Sequence, residues 1–214
     1  MITESMLDAL RERVGAHMSP KRFRHTVEVE RMVARLAALY APEQTMMLRA
    51  AALLHDITKE YSMDRQLLIC AEHRLTVSKT DLYAPKTFHA RTAAALIPQL
   101  YPEFADETLL SCVRWHTTGR AGMTLCEQLV YLADYIDLSR TFPDCVTLRN
   151  AFFDAKPEAM GREARLAHLR DIMILSFDMT VRGLLEDGVP VSPDTHEARN
   201  ELVCMRLCKQ DETL

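Results

Sequence analysis

Four histidines and two aspartates of this chain have the types and surroundings to do chemistry together: His25, His55, Asp56, His89, His116 and Asp134. Imidazole with carboxylate is a donor set for iron, manganese, cobalt or zinc. Each of the six sits among apolar residues. His25 shares a helical stripe with Val29, Met32, Val33 and Leu36, His89 with Ala93, Leu96 and Ile97, and His116 with Leu109, Cys112 and Val113. His55 and Asp56 end the run AALLHD, and Asp134 lies inside LVYLADYI. A buried ring or carboxylate needs a strong partner. For one histidine alone, an ordinary core hydrogen bond is explanation enough. Several segments that all turn His or Asp inward point instead to a site for one or two divalent transition-metal ions.

The elements that must position these groups are helices. Glycine is scarce, at six residues, and apolar residues recur at helical rather than alternating spacing. Ser19-Pro20 opens a helix that runs through KRFRHTVEVERMVARLAALY. Further helices are expected from about Glu43 to Asp56, from near Ser62, from about Lys86 to Leu100, and from about Ala105 to before Gly119. Thr124-x-x-Glu127 has the form of a capping box and opens another through Asp137. Val146 to Phe153, Glu158 to Asp187 and a short C-terminal helix after Ser192-Pro193 complete an all-α bundle. We expect a single domain over residues 1–214. Its metal-binding core spans about 19–140, and helices over about 144–214 complete the packing.

Composition limits the partners. A net charge of −4 argues against a nucleic-acid groove or an anionic membrane patch. No stretch is long and apolar enough to span a bilayer. The first residues, MITESMLDALRERV, lack a signal-peptide core, and the six cysteines form no CxxC pair. The expectation is a cytoplasmic protein with reduced thiols. His17, His73, His168 and His196 lie in polar surroundings and are expected at the surface.

The order H…HD…H…H…D on helices resembles the HD superfamily of phosphohydrolases. The segments KRFRHTVEVE, AALLHDITKEYS, TFHARTAAALI, WHTTGRAGMTLCEQLVYLADYIDLSR and SPDTHEARNEL are similar, more specifically, to the YqeK family. That resemblance implies symmetrical hydrolysis of diadenosine tetraphosphate to two ADP, with iron as the first choice of metal. It implies that His25, His55, Asp56 and Asp134 bind one ion, and that His89 and His116 bind a second, with Asp56 bridging. Ile57-Thr58 stands where Tyr-Ala is common, and Asp137-Leu138 where Glu-Pro often precedes Ser139-Arg140. Both changes flank ligands without removing one.

For such a reaction, two ions roughly 3.5 to 4 Å apart would bind phosphate oxygens and generate hydroxide for in-line attack. Further donors must meet the spreading phosphoryl charge. Asp56, Lys59 and Arg120 are the catalytic candidates. Thr117-Thr118-Gly119-Arg120, directly after a ligand histidine, offers hydroxyls, backbone N–H groups and a guanidinium as a phosphate cradle. A helix C-cap at Gly119 is the alternative reading. Arg24, Lys59, His89, Arg140 and Thr180 complete the expected nucleotide contacts. Other readings are a different HD-type nucleotidase or phosphodiesterase, or a non-catalytic nucleotide sensor. A sensor would be expected to have lost ligands, whereas all six are here. A homodimer is compatible with the chain, and no motif specifies one.

Overall fold

The computed structural model describes residues 1–211, with side chains described to residue 208. Eleven α-helices are found among the described residues: α1 Glu4–Gly15, α2 Pro20–Tyr40, α3 Thr45–Leu54, α4 Met63–Glu72, α5 Lys79–Leu82, α6 Phe88–Leu100, α7 Glu107–Trp115, α8 Leu125–Ile136, α9 Pro143–Asp154, α10 Arg162–Glu186 and α11 Pro193–Asp211. No β-strand occurs among them.

Local chemistry sets the helix starts. The Ser19 hydroxyl accepts from Arg22 N–H, and Pro20 supplies the first turn of α2. Thr124 and Glu127 form both bonds of the capping box at α8. The Ser62 hydroxyl accepts from Arg65 N–H at the start of α4, and the Asp106 carboxylate accepts from Thr108 and Leu109 N–H at the start of α7. Several boundaries differ from the sequence expectation. The segment expected from Glu43 to Asp56 divides into a 3₁₀ turn at Pro42–Gln44 and α3, and α3 stops at Leu54. His55 and Asp56 therefore sit in the turns that follow it. Lys156, at φ 55°, breaks the chain ahead of Pro157–Ala159, so α10 begins only at Arg162. The C-terminal helix is not short but spans 19 residues.

Helix α1 was not anticipated, although Leu7, Leu10 and Val14 give it one buried stripe. It is fastened by Glu30 of α2, a buried carboxylate that accepts from Arg11 Nε at 2.6 Å and Arg49 Nε at 3.0 Å. That ion pairing ties α1, α2 and α3 together.

The apolar core runs through Val29, Val33 and Leu36 of α2, Leu48 and Leu53 of α3, Val113 of α7 and Leu129 and Leu132 of α8. Each such Leu or Val, buried in full, contributes about 1.5–3 kcal/mol relative to exposure. Helix α2 packs on α3 and α8, and α6 on α7, so the helices and helix ends that present the four histidines and two aspartates face one another. His17 and His196 are exposed, as expected. His73 and His168 are corrections: both are half-buried, and His168 has Nε2 2.9 Å from the Phe152 carbonyl and its ring 5.4 Å from that of Phe152.

Candidate metal centre

Helix α2 delivers His25, the turn after α3 delivers His55 and Asp56, the first turn of α6 delivers His89, the end of α7 delivers His116, and the last turns of α8 deliver Asp134. All six are buried. Asp56 is at the centre. Its Oδ2 lies 3.3 Å from His55 Nε2 and 3.7 Å from His25 Nε2. Its Oδ1 lies 3.2 Å from His89 Nε2 and 3.8 Å from His116 Nε2. The two oxygens of one carboxylate thus face two histidine pairs. Asp134 Oδ1 joins the first pair, 2.9 Å from His25 Nε2 and 3.8 Å from His55 Nε2.

The rings are oriented from behind. His55 Nδ1 lies 2.6 Å from the Ala52 carbonyl and His116 Nδ1 lies 2.7 Å from that of Val113. A carbonyl only accepts, so each Nδ1 carries the proton and each Nε2 turns a lone pair inward. His25 Nδ1 is met by Ser139 Oγ at 3.2 Å and Asp137 Oδ2 at 3.3 Å. The Thr58 hydroxyl donates to the carbonyl of His89 at 2.9 Å and so ties the turn after Asp56 to α6. Thr58 is one of the departures noted in the sequence, and the departure supplies this bond.

The donor set fits a divalent cation. His25 Nε2, His55 Nε2 and Asp56 Oδ1 are buried and make no aligned hydrogen bond. Such atoms are costly to leave unsatisfied. The donor atoms of His25, His55 and Asp134 lie within 4.8 Å of one another, as do those of His55, Asp56 and His116. Three of these atoms, His25 Nε2, His55 Nε2 and Asp56 Oδ1, crowd together without an aligned partner, as ligands around a shared centre do.

The electrostatics of Asp56, Asp134, His89 and His116 agree with that. Burial opposes ionisation of Asp56, but His55, His89 and Lys59 outweigh it and hold the carboxyl well below the usual range. Burial likewise opposes the Asp134 carboxylate, and Arg140 and His25 reverse the effect. Burial keeps His89 neutral far below its ordinary range and lowers His116 to about 4, so both rings offer lone pairs at neutral pH.

Around the cluster, Lys59 Nζ lies 3.2 Å from His89 Nε2, brought there by the turn after Asp56 and not by a continued helix. Thr117 Oγ lies 3.1 Å from both His89 Nε2 and His116 Nε2. The Arg140 guanidinium is 2.5 Å from Asp134 Oδ1. Arg24 is exposed and lines a cavity of about 390 Å³ beside His25, with Arg140 on another wall. Thr180 donates to the Ser176 carbonyl, which leaves Tyr135 to donate to Thr180 at 2.6 Å. Both line a second cavity, of about 440 Å³, which reaches the cluster at Thr117.

The expected four-residue cradle is only partly assembled. Gly119 adopts φ +64°, its N–H bonds the Trp115 carbonyl, and a Cβ there would lie 2.7 Å from the Phe177 ring. It is a helix C-cap pressed on the core. The Thr118 hydroxyl donates to the Gly119 carbonyl. Arg120 donates to the fully buried Glu127 at 3.0 Å and lies over Trp115. The capping box of α8 leaves Glu127 Oε1 in need of partners, and Arg120 supplies one. Only Thr117 of the four faces the cluster.

Two contributors were missed by sequence reasoning. Arg22 Nη1 donates to Asp56 Oδ2 at 2.6 Å. Its place three residues before His25, on the same helix face, was the available signal. Asp137, fully buried beside His25 Nδ1, follows directly on α8 and was read only as a departure from a motif.

A family profile described as the HD domain matches residues 22–139 of this chain. The chain is 30% identical over 190 residues to the symmetrical bis(5'-nucleosyl)-tetraphosphatase of Halalkalibacterium halodurans, covering 89% of this chain and 93% of that protein. It is 30% identical over 205 residues to the protein of that name from Bacillus subtilis, covering 95% and 98% respectively. Among solved structures, it is similar to one from Clostridium acetobutylicum described as a predicted HD superfamily hydrolase involved in NAD metabolism. The TM-score is 0.80 and the identity 26%, with 96% of this chain and 100% of that one covered.

Proposed function

The chain belongs to the HD domain family of metal-dependent phosphohydrolases, and on that premise we propose that it hydrolyses diadenosine tetraphosphate symmetrically to two ADP. The observation that carries this reading is Asp56, whose two oxygens each face a separate pair of histidines. It is supported by relatives along nearly the whole chain whose name specifies that activity.

In this reading His25, His55, Asp56 and Asp134 would hold one divalent ion, and His89 and His116, with Asp56, would hold a second; iron is the first choice of metal. When bound, the ions supply Lewis acidity to phosphate oxygens and to water. The chain's own groups do the rest. Arg22, Lys59 and Arg140 surround the carboxylates with positive charge that a polyphosphate can share. The Thr117 hydroxyl presents a donor beside His89 and His116. Asp137 and the carbonyls of Ala52 and Val113 fix the rings that must not rotate. Burial of all six ligand residues keeps bulk water from competing for them. Among the described residues, no helix is long and apolar enough to cross a membrane.

The test is to purify the protein without chelator, measure bound metal and resolve the products from diadenosine tetraphosphate, with Asp56→Ala alongside. ADP as sole product, and an inactive variant without metal, is the expected result. AMP plus ATP would sink central cleavage. Bound metal without turnover would move the assignment to another phosphoester or to a sensor.

A further inference from the structure

The substrate assigned above is symmetrical, but the surfaces flanking the cluster are not. On one side, the cavity of about 440 Å³ meets the cluster at Thr117. Its walls include Pro85, Leu184 and Val189, with the half-buried ring of Tyr135 and the hydroxyl of Thr180, and the Tyr83 ring stands 72% exposed at its rim. A largely apolar space with a half-buried aromatic ring and several polar atoms suits a purine nucleoside. On the other side, the cavity of about 390 Å³ meets the cluster at His25. Lys21, Arg22, Arg24 and Arg140 line it, and its single aromatic residue, Phe142, is 67% exposed at the rim. Four cations suit phosphates, and little there would enclose a base.

We propose that the two halves of the substrate are recognised by different chemistry. One half is held through its nucleoside in the Tyr135 cavity. The other is held through its phosphates in the Arg22–Arg24 cavity, with its nucleoside left near solvent. This rests on the function proposed above. It adds a substrate class: nucleoside 5'-tetraphosphates, which carry one base only. With adenosine 5'-tetraphosphate, water adds to phosphorus and the bond between the second and third phosphates breaks. The products are ADP and pyrophosphate, with no other reactant needed.

The experiment compares adenosine 5'-tetraphosphate with diadenosine tetraphosphate on the metal-loaded full chain, and titrates ADP by calorimetry as a readout free of turnover. The expected result is ADP plus pyrophosphate, with a kcat/KM within about tenfold of that for the dinucleotide. One ADP should bind tightly per chain, and Leu184→Trp, which fills the apolar cavity, should weaken it. If the dinucleotide gives ADP while the mononucleotide is cleaved more than about a hundredfold less efficiently, the second base is required and this inference falls alone. Two equivalent ADP sites would overturn it as well. If neither compound is cleaved, the functional assignment falls and this inference with it.

Discussion

The Arg22 guanidinium donates to Asp56 Oδ2 at 2.6 Å, across the open side of the histidine cluster. Asp56 is buried at 3% exposure, and Arg22, which lines the basic cavity, bridges from that cavity to the Asp56 carboxylate. Arg22→Ala should lower kcat/KM roughly ten- to a hundredfold, the loss of one charge-assisted hydrogen bond. Bound metal should stay unchanged, and Arg22→Lys should recover part of the loss. Steady-state kinetics with metal analysis decides it: unchanged kcat/KM would leave Arg22 a structural partner of Asp56.

Buried donor atoms without aligned partners make the cluster a place where metal and stability are linked. Removing metal with a chelator should lower the thermal midpoint, and adding manganese or iron should restore it. At a metal concentration a hundredfold above its Kd, the gain is about 2.7 kcal/mol. Asp56→Ala should lose the metal-dependent shift while remaining helical by circular dichroism. A variant that still shifts would place the ion elsewhere.

Gly119 holds the turn that presents Thr117. Its φ of +64° and the Phe177 ring leave no room for a side chain. Gly119→Ala should destabilise the fold by about 1–3 kcal/mol in backbone strain alone, with the displaced ring adding to that. Urea unfolding measures it, and a change below about 0.5 kcal/mol would contradict the packing.

Glu30 is expected to be structural. Glu30→Ala leaves Arg11 and Arg49 facing each other without their shared carboxylate and should cost about 2 kcal/mol or more. Because the residue lies outside the metal cluster, kcat should be unaffected at temperatures where the variant is folded. Limited proteolysis should then cut first near α1.

Tyr40 gives a pH dependence away from the site. Burial pushes its hydroxyl from the ordinary 10.0 up to about 12, against the pull of Arg165. The unfolded chain releases this proton first, so the stabilising contribution is complete below pH 10 and is lost as pH rises towards 12. Unfolding free energies measured across pH 9 to 12 should decline less steeply for Tyr40→Phe than for the unaltered chain. Parallel curves would mean that Tyr40 ionises equally in both states.

The six prospective ligands could be read from sequence because each places, within or at the end of an apolar run, a polar group that the core would otherwise reject. Caps such as Ser19-Pro20 and Thr124-x-x-Glu127 were equally legible, since their bonds close within one helical turn. Helix α1 was legible in principle through Leu7, Leu10 and Val14. The length of α11 was not, because it packs against α10 and exposes polar residues along much of its surface.

What sequence alone determined is therefore local: which segments coil, where they begin, and which side chains cannot be left in the core without a partner. Tertiary structure decided how the partners were shared out. It placed Asp56 between two pairs of histidines and gave Arg22 to Asp56 and Asp137 to His25. It also withdrew Arg120 to Glu127 and pressed Gly119 against Phe177. Those pairings join residues on different elements, or on either side of a turn. Their energies depend on distances that only the packed helices fix.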